Sequence, residues 1–312
     1  YHLGELDPNL QPAAPGTIDR GKRIRPAVAM LSTLAAGGEV ATAAPVAAAI
    51  ELLHNFTLIH DDIQDESPTR RHRPTVWHRW SAGQAINAGD ALFAAAHLPF
   101  FHLADLDVSP PLILRLMEAF SRTTIAIVEG QTLDLSFEGR SDTTADDYLR
   151  MIAGKTAAIV GYAAWAGAVL GGAADAVADQ FAAFGLALGT GFQVRDDALG
   201  VWGAPEATGK ARADDIRRRK QSLPVLLLRE RASPEIRDEL ASIYAAPAIA
   251  GDGIERVLAL LAEHDVPAFS EAQVQHYHDQ ARTALLQATG PGENPGRDRL
   301  LDLVEQLAVR TG

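Results

Sequence analysis

Cysteine is absent from the 312-residue chain, which excludes disulfides, thiolate metal sites and thiol nucleophiles together. Aromatic residues are scarce at 6%, so a stacking platform for single-stranded nucleic acid is not expected. Basic side chains are outnumbered 28 to 40, giving a formal net charge of −12. A field of that sign repels DNA, RNA and anionic membranes unless positive charge is strongly localised. Also missing are alternating Val/Ile/Thr runs closed by Asn-Gly or Asp-Gly turns, a repeat of fixed period and a low-complexity linker. One uncharged run, 156–174, is about long enough to span a bilayer. Alanine and glycine dominate it, and no basic cluster or Trp/Tyr belt flanks both ends, so it is expected to be a helix buried among other helices.

What is present is helical pattern nearly everywhere. Helices are expected over 21–36, 42–66, 81–104, 110–137, 144–171, 175–202, 222–231, 234–245, 253–264, 268–289 and 297–310. Breaks are marked by Gly37-Gly38, Ser109-Pro110-Pro111, Gly171-Gly172, Gly203-Ala204-Pro205 and Gly290 to Gly296. The run from Asp142 to Asp147 offers capping side chains and early acidic charge for the helix that follows. These features predict one all-α domain across 1–312 with ten or more helices. The chain opens on Tyr1 rather than Met, so residues are expected to precede it. The cysteine-free composition is compatible with the cytoplasm, the expected compartment.

Two stretches carry chemistry. His60-Asp61-Asp62-Ile63-Gln64-Asp65 follows the apolar run Phe56-Thr57-Leu58-Ile59, and Gln193-Val194-Arg195-Asp196-Asp197 follows the apolar segment 186–192. Asp61 and Asp65 are four apart, one helical turn on one face. Paired aspartates at the end of a core helix repel each other and raise each other's pKa unless something positive offsets them. Carboxylate oxygens with few nitrogens suit Mg²⁺, which keeps waters and shares itself with phosphate oxygens. Positive charge is indeed localised: Arg20, Lys22, Arg23 and Arg25; then Arg70, Arg71, Arg73 and Arg79; then Arg212, Arg217, Arg218, Arg219 and Lys220. With metal on one side and guanidinium forks on the other, these clusters are expected to clamp diphosphate.

The ordered set Gly21-Lys22-Arg23-Ile24-Arg25-Pro26, HNFTLIHDDIQD at 54–65, RRHRPT at 70–75, Gly154-Lys155-Thr156, GFQVRDD at 191–197 and Gly209-Lys210 resembles the trans-isoprenyl diphosphate synthases, or polyprenyl synthetases. The likeness spans 21 to 224. It implies an all-α fold around a central cavity, a homodimer, and two aspartate-rich motifs at the cavity mouth. By this resemblance Asp61, Asp65 and Asp196 bind Mg²⁺, three ions with substrate present. Lys22, Arg25, His54 and Arg71 hold the diphosphate of isopentenyl diphosphate. Arg70, Lys155, Thr156, Gln193 and Lys210 hold the allylic diphosphate.

Two positions depart from the family pattern: Gly200 stands where many members carry a third aspartate, and His72 where glycine is usual. An aromatic at Phe56 with Thr57 and an uninterrupted first motif resembles a geranylgeranyl (C20) producer, with farnesyl (C15) and C25 or longer as alternatives. Rival readings are a terpene cyclase on the same metal logic, a catalytically silent partner subunit and a di-iron bundle built on Glu51-x-x-His54. The last needs a second Glu-x-x-His pair, and none exists.

Overall fold

The computed structural model describes residues 1–14, 21–140, 142–205, 211–246 and 248–309. Helices follow one another in the order α1 (Ile24–Ala35), α2 (Val40–Gln64), α3 (Val76–Arg79), α4 (Ala82–Ala95), a 3₁₀ segment (Leu98–Leu106), α5 (Pro110–Phe137), α6 (Ala145–Ile152), a π turn (Ala153–Ala157), α7 (Ala158–Leu170) and α8 (Asp175–Trp202). After these come α9 (Asp214–Arg217), α10 (Leu223–Arg231), α11 (Pro234–Ala245), α12 (Gly251–Glu263), α13 (Val266–Thr289) and α14 (Pro295–Ala308). The expected all-α class is what the chain adopts. The only sheet among the described residues is a two-residue hairpin, β1 (Thr69–Arg70) with β2 (Arg73–Pro74).

The helix punctuation works as local chemistry requires. Gly37 and Gly172 take positive φ, 94° and 85°. Each closes a Schellman end, with Gly38 N–H on the Thr33 carbonyl and Ala173 N–H on the Ala168 carbonyl. Thr144 caps α6 reciprocally with Asp147, the role expected of that acidic run. The hairpin was not expected, because its turn, Arg71-His72, contains neither glycine nor asparagine. Both residues nevertheless have positive φ, 50° and 59°, as a type I′ turn demands.

The chain divides into two compact units. Unit 1 comprises Tyr1–Ser121 and Ala163–Asp175. Within it α2 packs against α1, α4 and the 3₁₀ segment, and the Thr33 hydroxyl of α1 donates to the Gly167 carbonyl of α7 at 2.8 Å. Small residues let backbones meet there: a Cβ on Gly167 would lie 2.1 Å from the Ala29 carbonyl oxygen. Unit 2 comprises Arg122–Tyr162 and Ala176–Gly312. One of its cores gathers Phe137, Tyr148, Ile152, Val194, Leu226 and Val274; another is built from Ile216, Val225, Leu228, Ile254, Val257 and Leu260. Two stretches, Val40–Gln64 and Ala145–Leu170, are long and apolar enough to cross a bilayer by length and composition. In the second, which contains much of the uncharged run, 67% of the apolar window is buried within the protein.

Candidate active site

In unit 1 the site is built on the last turns of α2. Asp61, Asp62 and Asp65 crowd the negative end of the helix dipole, and no basic residue lies in that turn, an arrangement that favours a cation nearby. Asp62 points inward, 1% exposed, and accepts from Arg70 Nε at 2.7 Å. Burial pushes its carboxyl up, while Arg70 opposes that shift. Asp61 is half-buried and Asp65 exposed. The hairpin that follows α2 brings Arg70 and Arg71 back towards the helix.

The expected isopentenyl set converges in the same unit. Arg25 Nη1 donates to His54 Nε2 at 3.2 Å. Burial drives the His54 pKa well below its usual value, and the charges of Arg25, Arg71, Arg70 and His2 reinforce the shift. His54 is therefore neutral and accepting. The Arg71 guanidinium lies over Gly21, where an added Cβ would be 2.5 Å from Nη2, next to exposed Lys22. Cations gathered around a neutral imidazole suit an anion. Glu51, the other half of the Glu-x-x-His, instead accepts from Asn55 Nδ2 at 3.1 Å.

Phe56 stands edge-on to His60, with ring centroids 4.8 Å apart, and tilts on Phe93 at 5.2 Å. Phe93 contacts His97, which contacts Phe120. Phe56 is thus the first ring of an aromatic row. Thr57, beside it, donates its hydroxyl to the His54 carbonyl at 2.8 Å.

In unit 2 the π turn presents Lys155 and Thr156. Lys155 is ion-paired to Asp134 of α5. Thr156 donates to Gln193 Oε1 at 3.1 Å, and Gln193 Nε2 donates to Asp197 Oδ1 at 3.1 Å. Asp197, 1% exposed, also accepts from the Tyr148 hydroxyl and from Leu223 N–H at 3.2 Å. Burial pushes its carboxyl up, against the pull of Lys220 and of these donors. Asp196, one residue earlier, is half-buried. The two motifs match in detail: in each Asp-Asp pair the second residue is buried in a structural bond and the first is left nearer solvent. Lys210 and Gly209 lie outside the described residues.

Some readings change. Arg73 and Arg79 are not available as clamps. Arg73 donates to the Tyr1 and Leu6 carbonyls at 3.2 and 2.7 Å, and Arg79 bonds the Pro8 carbonyl. In the third basic cluster Arg212 pairs with Glu255 at 2.6 Å, while Arg217 and Arg219 donate to the Arg212 and Ala246 carbonyls at 3.0 Å. His72 is an exposed turn residue. Gly200 has a steric cause, since a Cβ there would lie 2.2 Å from Oδ2 of Asp215. The residues that sequence reasoning passed over are Asp62, Phe93, Asp134, Tyr148, Asp197 and Asp215. For the two inner aspartates the signal was present in the Asp-Asp doublets, but not which member turns inward.

The donor set fits a hard divalent cation. Asp61, Asp65 and Asp196 offer oxygen alone, and Asp62 Oδ2 is a buried oxygen with no hydrogen-bond partner among the described residues. No group of three His, Cys, Asp or Glu side chains that could hold an ion occurs among the described residues. Mg²⁺ needs none, because it takes one or two carboxylates and completes its shell with water and substrate phosphate.

Residues 8–261 match the polyprenyl synthetase family. A geranylgeranyl diphosphate synthase of Mycobacterium tuberculosis is 43% identical over 262 residues, spanning 84% of this chain and 73% of the relative. A (2E,6E)-farnesyl diphosphate synthase of Mycobacterium bovis is 42% identical over 225 residues, 72% of this chain and 60% of that relative. The crystal structure of a polyprenyl synthetase from Streptomyces coelicolor A3(2) superposes with a TM-score of 0.88 at 35% identity, covering 99% of this chain and 90% of that one.

Proposed function

This chain belongs to the polyprenyl synthetase family, and on that premise we propose that it is a prenyltransferase joining isopentenyl diphosphate head to tail to an allylic diphosphate. The product is a trans short-chain prenyl diphosphate, and we assign it as geranylgeranyl diphosphate, with farnesyl diphosphate as the nearest alternative. The observation that carries the reading is the convergence of Arg25, His54 and Arg71 beside the carboxylate-rich end of α2.

In this reading Lys22, Arg25, His54 and Arg71 bind the isopentenyl diphosphate, and Arg70, Lys155, Thr156, Gln193 and Lys210 the allylic diphosphate. Asp61, Asp65 and Asp196 would hold Mg²⁺, three ions when substrates are bound. Bound there, the metal supplies Lewis-acid stabilisation of a departing diphosphate. The chain's own share is electrostatic. Arg70 and Lys155 present fixed positive charge, joined by that of Lys210, to a leaving group that gains negative charge as its C–O bond lengthens. Asp62 fixes Arg70, Asp134 fixes Lys155, and Asp197 orients Gln193, so these groups arrive already aimed. The isopentenyl double bond then attacks the allylic carbon and a proton is lost. No protein base is assigned to that proton; the released diphosphate is its acceptor in this scheme.

Phe56 and Thr57 set product length, the Phe56 ring acting as the floor under the growing chain. We further propose that residues 1–312 act as one functional domain, that the apolar stretches of α2 and of Ala145–Leu170 are core helices, and that the enzyme works in the cytoplasm. A homodimer fits unit 1, which leaves Ile86, Leu98, Phe101 and Leu114 46–67% exposed, an apolar surface that a second copy would cover.

The test is a product chromatogram from dimethylallyl, geranyl or farnesyl diphosphate with isopentenyl diphosphate and Mg²⁺. A C20 product is expected. Products formed without isopentenyl diphosphate would mean a terpene cyclase, and no product from any pair would mean a silent subunit. Asp61→Ala and Asp196→Ala should each abolish turnover and leave the helical circular dichroism unchanged.

A further inference from the structure

The segment 1–14 is tied to the hairpin that carries Arg70 and Arg71. The Tyr1 hydroxyl donates to the Pro74 carbonyl at 3.0 Å, and Arg73 donates to the Tyr1 and Leu6 carbonyls. The Arg73 guanidinium also sits 4.0 Å above the Tyr1 ring. Between these anchors lies His2. Its Nε2 is buried and has no hydrogen-bond partner among the described residues. Its charged neighbours are Arg70, Arg71 and Arg73, and His2 in turn acts on His54. Burial first, then these positive groups, push its pKa down to about 3, so the ring is neutral and offers one N–H donor.

A buried donor left unpaired costs free energy, and the charged side chains around this one are all cations. The missing partner is therefore an acceptor that cations would attract. Arg70 already spends its Nε on Asp62, whereas Arg71 and His54 both belong to the proposed isopentenyl set. We propose that His2 is a further substrate-binding residue, its Nε2–H donating to a phosphate oxygen of the diphosphate held by Arg25 and Arg71. The segment 1–14 is then part of the isopentenyl diphosphate site rather than a mere strap over the hairpin. This rests on the prenyl-transfer reading above.

The experiment compares His2→Phe, which fills the space without a donor, with His2→Gln, which keeps one. Steady-state kinetics on the full chain should give His2→Phe a KM for isopentenyl diphosphate raised about tenfold, the effect of one lost hydrogen bond to a charged group. The KM for the allylic substrate and the thermal midpoint should be unchanged, and His2→Gln should recover most of the loss. Equal behaviour of the two variants overturns the proposal. So does a rise in both KM values accompanied by a lower midpoint, which marks a packing role. Calorimetric titration with inorganic diphosphate separates this from the parent reading. A wild-type chain that binds diphosphate but makes no product refutes prenyl transfer, while His2 is still judged by whether His2→Phe weakens that binding.

Discussion

Restoring an aspartate at position 200 should harm this protein rather than improve its metal site. A Cβ on Gly200 would stand 2.2 Å from Oδ2, 2.5 Å from Cγ and 2.9 Å from Oδ1 of Asp215. Comfortable contact needs about 3.5 Å, so the carboxylate must retreat by more than an ångström. Asp215 is only 5% exposed and α9 holds it in place, so retreat means repacking. Overpacking of this kind costs about 1–3 kcal/mol. Gly200→Ala recovers about 1 kcal/mol of that in helix propensity, leaving a net loss of roughly 0–2 kcal/mol. Gly200→Asp adds a second carboxylate against the first. Two like charges at about 4 Å with an effective dielectric near 20 repel by about 4 kcal/mol, an upper limit because either group can bind a proton instead. A total loss of about 3–5 kcal/mol is expected, a large part of the usual stability of a protein. Thermal unfolding followed by circular dichroism measures it. Asp215→Asn keeps the shape and removes one charge, so the double variant Gly200→Asp/Asp215→Asn should be less damaged than the two single losses added together. The reasoning is refuted if Gly200→Asp melts with the wild type and needs less Mg²⁺ for half-maximal activity. Glycine would then be a lost ligand, not a steric necessity.

Other outcomes follow from the same geometry. Phe56→Ala should lengthen the product, read by chromatography. Because Phe93 stands behind Phe56, Phe56→Ala/Phe93→Ala should lengthen it further, and equal products from the single and double variants would exclude Phe93. Asp197→Ala strands the Tyr148 hydroxyl, the Leu223 N–H and the Gln193 amide, each at about 1–3 kcal/mol. The thermal midpoint should fall sharply, and any folded fraction should show a raised KM for the allylic substrate. His2 and His54 titrate below their unfolded values, so the unfolded state takes up protons first as pH falls. Stability is full above about pH 6.5 and drops by up to about 1.4 kcal/mol per pH unit per histidine below it. Asp62 and Asp197, raised by burial, act in the opposite sense, returning stability as pH falls towards their own range. Denaturant midpoints at pH 7.5 and 5.5 should therefore differ, and His54→Gln should shrink the difference.

Helix positions were legible where the chain punctuates itself. α5 and α8 occupy the expected 110–137 and 175–202, since Ser109-Pro110 starts one and Gly203-Ala204-Pro205 stops the other. The hairpin was illegible because a turn with two left-handed residues normally advertises glycine, and here Arg71 and His72 take that conformation. Similarly, the expected helix 144–171 contains the π turn, which leaves no trace in hydrophobic periodicity. The two Asp-Asp doublets were visible in the sequence, each behind an apolar run. Which member turns inward was not, because helix phase decides it, and phase depends on packing against Arg70 in one case and Tyr148 in the other. Basic clusters were over-read for a related reason: a guanidinium that binds phosphate and one that ties down a backbone carbonyl look alike in a sequence.

The π turn at Ala153–Ala157 bears on how this chain can change over time. Such a turn holds one residue more than a regular helix would. Deleting any one of the five would let the backbone relax to ordinary helix with little loss of hydrogen bonding. It would also rotate everything before the deletion by about 100° relative to α7. A deletion at Ala153 or Gly154 would turn Tyr148 of α6 away from Asp197 while Thr156 still reached Gln193. Residue count there keeps both contacts, so a substitution at exposed Ala153 should be far better tolerated than a single insertion or deletion.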